Sequence, residues 1–185
     1  MKKIKFFFTG LFVVAVMLSC SKNDKSLIGP NLDAYNVETI EPCGWIGETA
    51  WSCGLYFGNG TFTVPKGNWA TYTPYYYTPS YLVAGKNKMD PKTNMHAAKV
   101  YFSSAVEGKI TINFTLNEGW RFADVPENVK IEGYDAAPVG INPKPGQFTY
   151  KFNVPQALTS FSFDGFGLKD FYGVHVDVER WVECK

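Results

Sequence analysis

A strict alternation of apolar and polar side chains is the feature that most limits how this chain can fold. The clearest example is the segment 109–116, in which every second residue is apolar: Ile110, Ile112, Phe114 and Leu116. Successive side chains of a β-strand point to opposite faces, so this pattern predicts a half-buried strand. The same period recurs at 148–154, 161–163 and 174–178. These segments predict a sheet with one apolar face.

Shorter segments and turn residues extend this prediction to the whole C-terminal part of the chain. The other candidate strands, separated by Gly, Pro and Asn clusters, are 51–57, 61–64, 69–77, 81–84, 98–103 and 129–134. Glu107-Gly108 predicts a hairpin turn between 98–106 and 109–116. No stretch keeps a helical period for three turns. We therefore predict an all-β fold, a single antiparallel β-sandwich of immunoglobulin-like or jelly-roll-like type, over residues 44–185.

The N-terminal segment predicts export and attachment to a membrane. A basic start is followed by the apolar run Phe6–Leu18, whose 13 residues are too few for a membrane span of about 20. The run ends in Leu18-Ser19-Cys20, which resembles the lipobox of bacterial lipoproteins. We predict a signal peptide at 1–19, acylation of Cys20, and a flexible lipidated tether at 20–43. The alternative is an ordinary secreted protein with Cys20 just inside its mature chain.

The predicted location is the cell envelope, as an outer-membrane lipoprotein, with the periplasmic and surface faces both left open.

Without Lys2, Lys3 and Lys5, the mature chain has 15 basic and 17 acidic side chains, a formal charge of −2. A mildly acidic protein lacks the basic surface typical of nucleic-acid binders, so no nucleic-acid partner is predicted.

The remaining cysteines allow one internal disulfide. With Cys20 acylated, Cys43, Cys53 and Cys184 are left. A Cys43–Cys184 bridge would join the two ends of the domain, Cys43–Cys53 is the second pairing, and three thiols are the alternative to both. The sequence has no CxxC or HxxxH spacing, so neither a metal nor a cofactor is predicted.

Aromatic side chains concentrate between residues 69 and 81. The candidate ligand-binding residues are Trp69, Tyr72, Tyr75, Tyr76, Tyr77 and Tyr81. Tyr and Trp combine a flat apolar face with a polar tip, which suits contact with sugar rings or with a protein. In a strand, however, about half of these rings would face the core, and Pro74 and Pro79 favour an edge or a loop.

The acidic residues and histidines do not predict catalysis. A glycosidase needs two carboxylates facing one cleft, and each candidate is explained as a turn or solvated strand residue: Glu48, Glu118, Asp164, Asp170, Asp177 and Glu179. We predict that Asp164 and Asp170 flank a Gly-rich turn, which could bind calcium but lacks the ligand density of an EF-hand loop. We also predict that His175 lies on a solvated strand face and that His96 lies in a polar loop. No nucleophile or phosphate-binding motif is present, so no catalytic residue is predicted.

Four short segments carry a resemblance to known proteins. Residues 48–51 (ETAW), 67–72 (GNWATY), 116–120 (LNEGW) and 145–148 (PGQF) resemble segments of uncharacterised β-rich secreted proteins and lipoproteins of Bacteroidetes. The resemblance implies a cell-envelope β domain and transfers no catalytic residue. Together with the aromatic segment, it favours a non-catalytic binding module for glycan or protein. The alternative is a structural or assembly component without a small ligand, and an envelope hydrolase comes third.

Overall fold

A computed structural model describes residues 43–63, 65, 69–85 and 95–184. The predicted signal peptide, Cys20 and all of the predicted tether except Cys43 lie outside the described residues. Within them the chain forms eleven strands and one short 3₁₀ turn, Pro145–Gln147. This confirms the all-β prediction.

The strand bounds are β1 Gly44–Ser52, β2 Leu55–Tyr56, β3 Thr71–Pro74, β4 Ser80–Ala84, β5 His96–Phe102, β6 Lys109–Leu116, β7 Trp120–Phe122, β8 Val129–Tyr134, β9 Tyr150–Phe152, β10 Ser160–Gly167 and β11 Phe171–Val182. The predicted segment 51–57 is divided between the end of β1 and β2, and β7 lies outside every predicted segment, whereas the other strands overlap predicted segments.

The last strand, β11, organises the sheet, and every pairing among these strands is antiparallel. One edge of β11 pairs with β1 and β3, and the other edge pairs with β7 and β8, with β9 beyond β8. From β1 the sheet continues through β4, β5 and β6 to β10. The rings of Phe152 in β9 and Phe163 in β10 lie 3.9 Å apart between centroids. The sheet therefore folds over itself, and its two layers enclose one core, as in a β-sandwich.

The β5–β6 hairpin shows why the alternation predicts structure well. The four apolar residues of 109–116 are all buried in the core, while Lys109 and Thr115 on the opposite face are exposed. Glu107 and Gly108 have φ of 50° and 71°, and Val106 and Lys109 exchange backbone hydrogen bonds. Two central residues with positive φ match the right-handed twist of the flanking strands. The predicted hairpin turn is confirmed.

A second apolar cluster covers the opposite face of β1 and β11. This outer aromatic cluster is built from Trp51, Phe57, Ala70, Tyr72 and Phe148. Trp51 pairs in register with His175, and their rings lie 5.0 Å apart, edge to face. His175 is only 8% exposed. The prediction of a solvated strand face for His175 is therefore wrong, because side chains from distant parts of the chain fold over it.

Several local predictions also differ from the structure. Residues 61–63 form bends and no strand, with Val64 outside the described residues. Of 69–77, only Thr71–Pro74 is a strand. His96 begins β5 and does not lie in a loop. Asp164 lies within β10, where Gly165 at φ 81° marks a register shift between Phe163 and Phe166, so the predicted Gly-rich turn is wrong.

The two ends of the described domain are covalently joined. Cys43 and Cys184 form a disulfide across a sequence separation of 141 residues, next to the first β1–β11 pair, Gly44 and Val182. Cys53 keeps a free thiol that is partly buried, and burial raises the pKa of this thiol. A thiol with a raised pKa is a poor nucleophile for disulfide exchange.

Candidate functional site, a groove across β1 and β11

A groove lies on the outer face of β1 and β11, beyond the outer aromatic cluster. Gly47 pairs in register with Glu179, and Thr49 pairs with Asp177. These residues alternate with the core-facing ones, so they face away from the main core. The groove has a volume of about 450 Å³, and its lining includes Gly47, Thr49, Trp69 and Asp177. This volume falls in the range of small-molecule sites.

Trp69 supplies the aromatic surface of the groove. It is partly buried and packs against the outer aromatic cluster, while it also lines the groove. Packing on one side holds the ring in place, so little side-chain entropy is lost when a ligand contacts the other side. Val125, in the β7–β8 loop, adds an exposed apolar contact.

The carboxylates of this face are each held by a basic side chain. Asp177 Oδ2 lies 2.8 Å from Lys130 Nζ, and Glu179 Oε2 lies 2.6 Å from Arg121 Nε. Gln156 Nε2 also donates to Glu179 at 3.1 Å. The charged pairs are partly buried, so both carboxylates are fixed acceptors with balanced charge. Sequence reasoning placed Asp177 and Glu179 on a solvated face and missed these partners, which come from β7, β8 and the β9–β10 connection.

His175 lies two residues before Asp177 on the same face, but it is covered. Desolvation lowers its pKa to about 4, and Lys130 adds to this effect while Asp177 opposes it. His175 Nδ1 has no hydrogen-bond partner among the described residues. A neutral, buried imidazole is a packing element of the outer aromatic cluster and does not reach the groove surface.

Two exposed tryptophans lie further along the same strands. Trp45 and Trp181 pair in register, with ring centroids 5.5 Å apart, edge to face. Trp45 is 38% exposed, and Trp181 is 49% exposed. Arg121 Cζ sits 4.0 Å from the centroid of the Trp45 ring. Sequence reasoning did not single out either residue, although each continues the alternation, Trp45 with Gly47 and Trp181 with Glu179.

The predicted aromatic segment is divided between different environments. Only Trp69 lines the groove. Tyr72 is fully buried within the outer aromatic cluster, so it cannot contact a ligand. Tyr75 is partly buried, and its hydroxyl donates to the Ser103 carbonyl at 2.8 Å. Tyr76, at 81% exposure, and Tyr77 project from the turn after β3.

Tyr81 belongs to a separate surface, the outer face of β4 and β5. It is exposed, lies opposite Lys99 in register and stacks on His96 at 4.8 Å between ring centroids. Tyr101, two residues beyond Lys99, is exposed on the same face. We call Tyr81 and Tyr101 the tyrosine face. Neither residue lines the groove.

Of the other acidic candidates, Glu48 lines the groove, and its Oε1 lies 4.0 Å from Arg180 Nη2. Glu118 and Asp170 are exposed, and Asp164 accepts a hydrogen bond from the Thr111 hydroxyl at 2.7 Å. In the described part of the chain, no three His, Cys, Asp or Glu side chains come together in a metal-binding arrangement. None of its helical segments is long and apolar enough to cross a membrane.

The fold and the groove define an all-β sandwich with a solvent-open groove on the outer face of one layer. A scan against protein-family models and searches of curated proteins and solved structures found no match for this chain. The resemblance to Bacteroidetes lipoproteins therefore stays a prediction.

Proposed function

We propose that this protein is a non-catalytic glycan-binding module held at the cell envelope by a lipid on Cys20. The observation that carries the proposal is the groove, whose lining combines Trp69, the exposed glycine Gly47 and Asp177, with the Asp177 carboxylate held by Lys130. A sugar ring has apolar C–H faces and hydroxyl groups around its edge. An aromatic ring packs against the C–H face of a sugar, and a carboxylate or hydroxyl oxygen forms hydrogen bonds with the sugar hydroxyl groups.

The floor of the groove suits a ligand that approaches the backbone. A Cβ atom added at Gly47 would have no heavy atom within 4 Å, so this glycine leaves free space above β1. Thr49 provides a hydroxyl two residues further along the same face. A sugar can therefore lie on the strand and bond to side chains on either side of it.

The charged pairs favour binding over hydrolysis. Glycoside hydrolysis needs one carboxyl that gives up its proton and a second that acts as base or nucleophile. Asp177 and Glu179 are instead engaged with Lys130 and Arg121 at 2.8 and 2.6 Å. The second carboxylate that lines the groove, Glu48, alternates to the opposite side of β1 from Thr49, and its Oε1 lies 4.0 Å from Arg180 Nη2. Such paired carboxylates orient hydroxyl groups well, which supports a module that holds a glycan without cleaving it.

Filling the groove is expected to abolish glycan binding without unfolding the protein. Gly47→Leu should lower retention on the bound polysaccharide at least about tenfold, a loss of about 1.4 kcal/mol, while the melting temperature changes little. The measurement is pull-down of the protein on a panel of envelope and plant polysaccharides, with thermal unfolding in parallel. The reason is steric, since the new side chain enters open space.

Two controls make this test specific. Gly167→Leu adds the same side chain in β10, where the glycine also has no heavy atom near its Cβ position, and should leave binding intact. Tyr81→Ala combined with Tyr101→Ala removes the tyrosine face and should also leave binding intact. Loss of binding in the tyrosine variant, together with normal binding by Gly47→Leu, would place the glycan site on the tyrosine face and contradict the groove.

The lipid anchor is tested separately. Cys20→Ala is expected to abolish incorporation of a palmitate analogue during growth, since the acyl chains would be attached to this cysteine. The measurement is labelling of the purified protein, with Cys53→Ala as the matched control that keeps full labelling. Unchanged incorporation in Cys20→Ala would favour the ordinary secreted protein instead.

An exposed apolar patch supports a second candidate function, docking to an envelope protein. Phe62, Val139 and Ile141 are exposed, and their loops touch where Gly140 N donates to the Phe57 carbonyl at 2.6 Å. Exposed apolar groups in a cluster are typical of protein-binding surfaces. This candidate predicts a partner that co-purifies equally with Gly47→Leu and with the unsubstituted protein, together with no retention on any polysaccharide.

A further inference from the structure

We infer that the groove continues along β1 and β11 onto the Trp45–Trp181 pair, and that its ligand is an extended oligosaccharide chain of several sugars. This inference rests on the proposed glycan-binding function and deepens it. A groove confined to the region of Trp69 would take a single sugar or a chain end. The arrangement of the two strands indicates a longer binding track.

The register of β1 and β11 sets the length of this track. Asp177, Glu179 and Trp181 lie on one face of β11, with Thr49, Gly47 and Trp45 opposite them in the same order. Trp181 lies four positions beyond Asp177 along the extended strand, which corresponds to about 13 Å. A single pyranose ring cannot span that distance, whereas several linked rings can.

On the β1 side, the middle of the track is open at Gly47. Gly47 faces Glu179 across the strand pair, and no heavy atom lies within 4 Å of its Cβ position. On the β11 side, Glu179 is held toward Arg121 at 2.6 Å. A chain leaving the groove at Asp177 therefore passes over a glycine and beside a fixed carboxylate, which can accept hydrogen bonds from sugar hydroxyls.

The far end of the track is a rigid aromatic platform. Trp45 is fixed by Arg121, whose guanidinium lies 4.0 Å from its ring centroid, and Trp181 packs against Trp45. Trp181 keeps 49% of its surface exposed. Rigid aromatic side chains offer a large contact area at a low entropic cost. The charged pair and the two tryptophans follow the groove residues along β1 and β11, and this mixture of charged and aromatic side chains favours a polar polymer as the occupant.

Chain-length dependence tests this inference. The probe is the oligosaccharide ladder produced by partial acid hydrolysis of whichever polysaccharide the protein retains, titrated by calorimetry into residues 20–185 carrying Cys20→Ala. We expect affinity to rise at least about tenfold from disaccharide to tetrasaccharide. Trp181→Ala should remove that rise and leave disaccharide affinity unchanged, Trp181→Tyr should keep most of it, and Gly47→Leu should abolish binding of both.

The outcomes separate the two proposals. Equal affinity for disaccharide and tetrasaccharide, or a Trp181→Ala variant with full tetrasaccharide affinity, would overturn the extended track and leave glycan binding in place. No retention on any polysaccharide would overturn both. A blue shift of tryptophan emission on phosphatidylethanolamine–phosphatidylglycerol vesicles that disappears in Trp181→Ala would identify the pair as a lipid contact and also overturn the track.

Discussion

Replacing both Cys43 and Cys184 with serine is expected to lower the free energy of unfolding by about 5 kcal/mol. The bridge closes a loop with a sequence separation of 141 residues, and in the chain-entropy model a longer loop restricts the unfolded chain more strongly. Since domains are stable by only about 5–15 kcal/mol, the variant should lose a third or more of its stability. Urea unfolding of the two proteins at equal concentration measures the difference.

The matched control is Cys53→Ser, which removes a thiol of similar size outside the disulfide. It should change the unfolding midpoint far less than the double variant does. Addition of a strong reductant should bring the unsubstituted protein to the midpoint of the double variant and leave the double variant unchanged. Equal midpoints for the double variant and the unsubstituted protein would contradict this account of the bridge.

The bridge also matters for the proposed binding track. It lies beside the first β1–β11 pair, Gly44 and Val182, and the next pair in register is Trp45 and Trp181. Without it, the ends of both strands would be free to fray, and fraying concentrates at chain ends that are not tied down. The disulfide therefore holds in register the two strands that carry the groove and the exposed tryptophans.

The fold was predictable where one physical rule decides the structure. In β6, each apolar side chain faces the core and each polar one faces solvent, so period-two alternation identifies the strand. The turn at Glu107-Gly108 was predictable for a local reason, because a two-residue turn requires positive φ. Both depend on neighbours in sequence, which a single sequence displays directly.

The environment of β11 was not predictable in the same way. The core face of β11 is evident from Val174, Val176 and Val178. The other face carries the polar residues His175 and Asp177, and alternation predicts that such a face is solvated. In the structure Trp51 covers His175, and Lys130 pairs with Asp177. Whether a polar strand face meets water or another segment depends on long-range packing, which alternation does not encode.

The candidate site was only partly predictable, since its residues come from distant segments. Trp69 was singled out because aromatic residues are dense around it, but its neighbour Tyr72 proved to be core. β3 ends at Pro74, which breaks the segment and sends Tyr76 and Tyr81 to other surfaces. The pairing of Trp45 with Trp181 follows from the β1–β11 register, a contact between the two ends of the domain that the isolated tryptophans did not signal.

Acidification from about pH 6.5 to about pH 4 is expected to destabilise this protein through His175 by about 3 kcal/mol. Burial lowers the pKa of His175 in the folded state from 6.5 to about 4. Below pH 6.5 the imidazole takes up a proton in the unfolded chain but not in the folded one. The unfolded state then binds more protons, so the free energy of unfolding falls as the pH falls through this range.

The groups facing His175 determine how this effect is isolated. Lys130 lowers its pKa further and Asp177 raises it, and carboxylates elsewhere also titrate toward pH 4. Comparison with His175→Gln separates these contributions, because glutamine is neutral at every pH while the surrounding charges stay the same. Urea unfolding across pH 4 to 7.5 should give a steeper loss of stability for the unsubstituted protein than for His175→Gln. Parallel curves would mean that the imidazole takes up its proton equally in the folded and unfolded states, and would contradict the effect of its burial against Trp51.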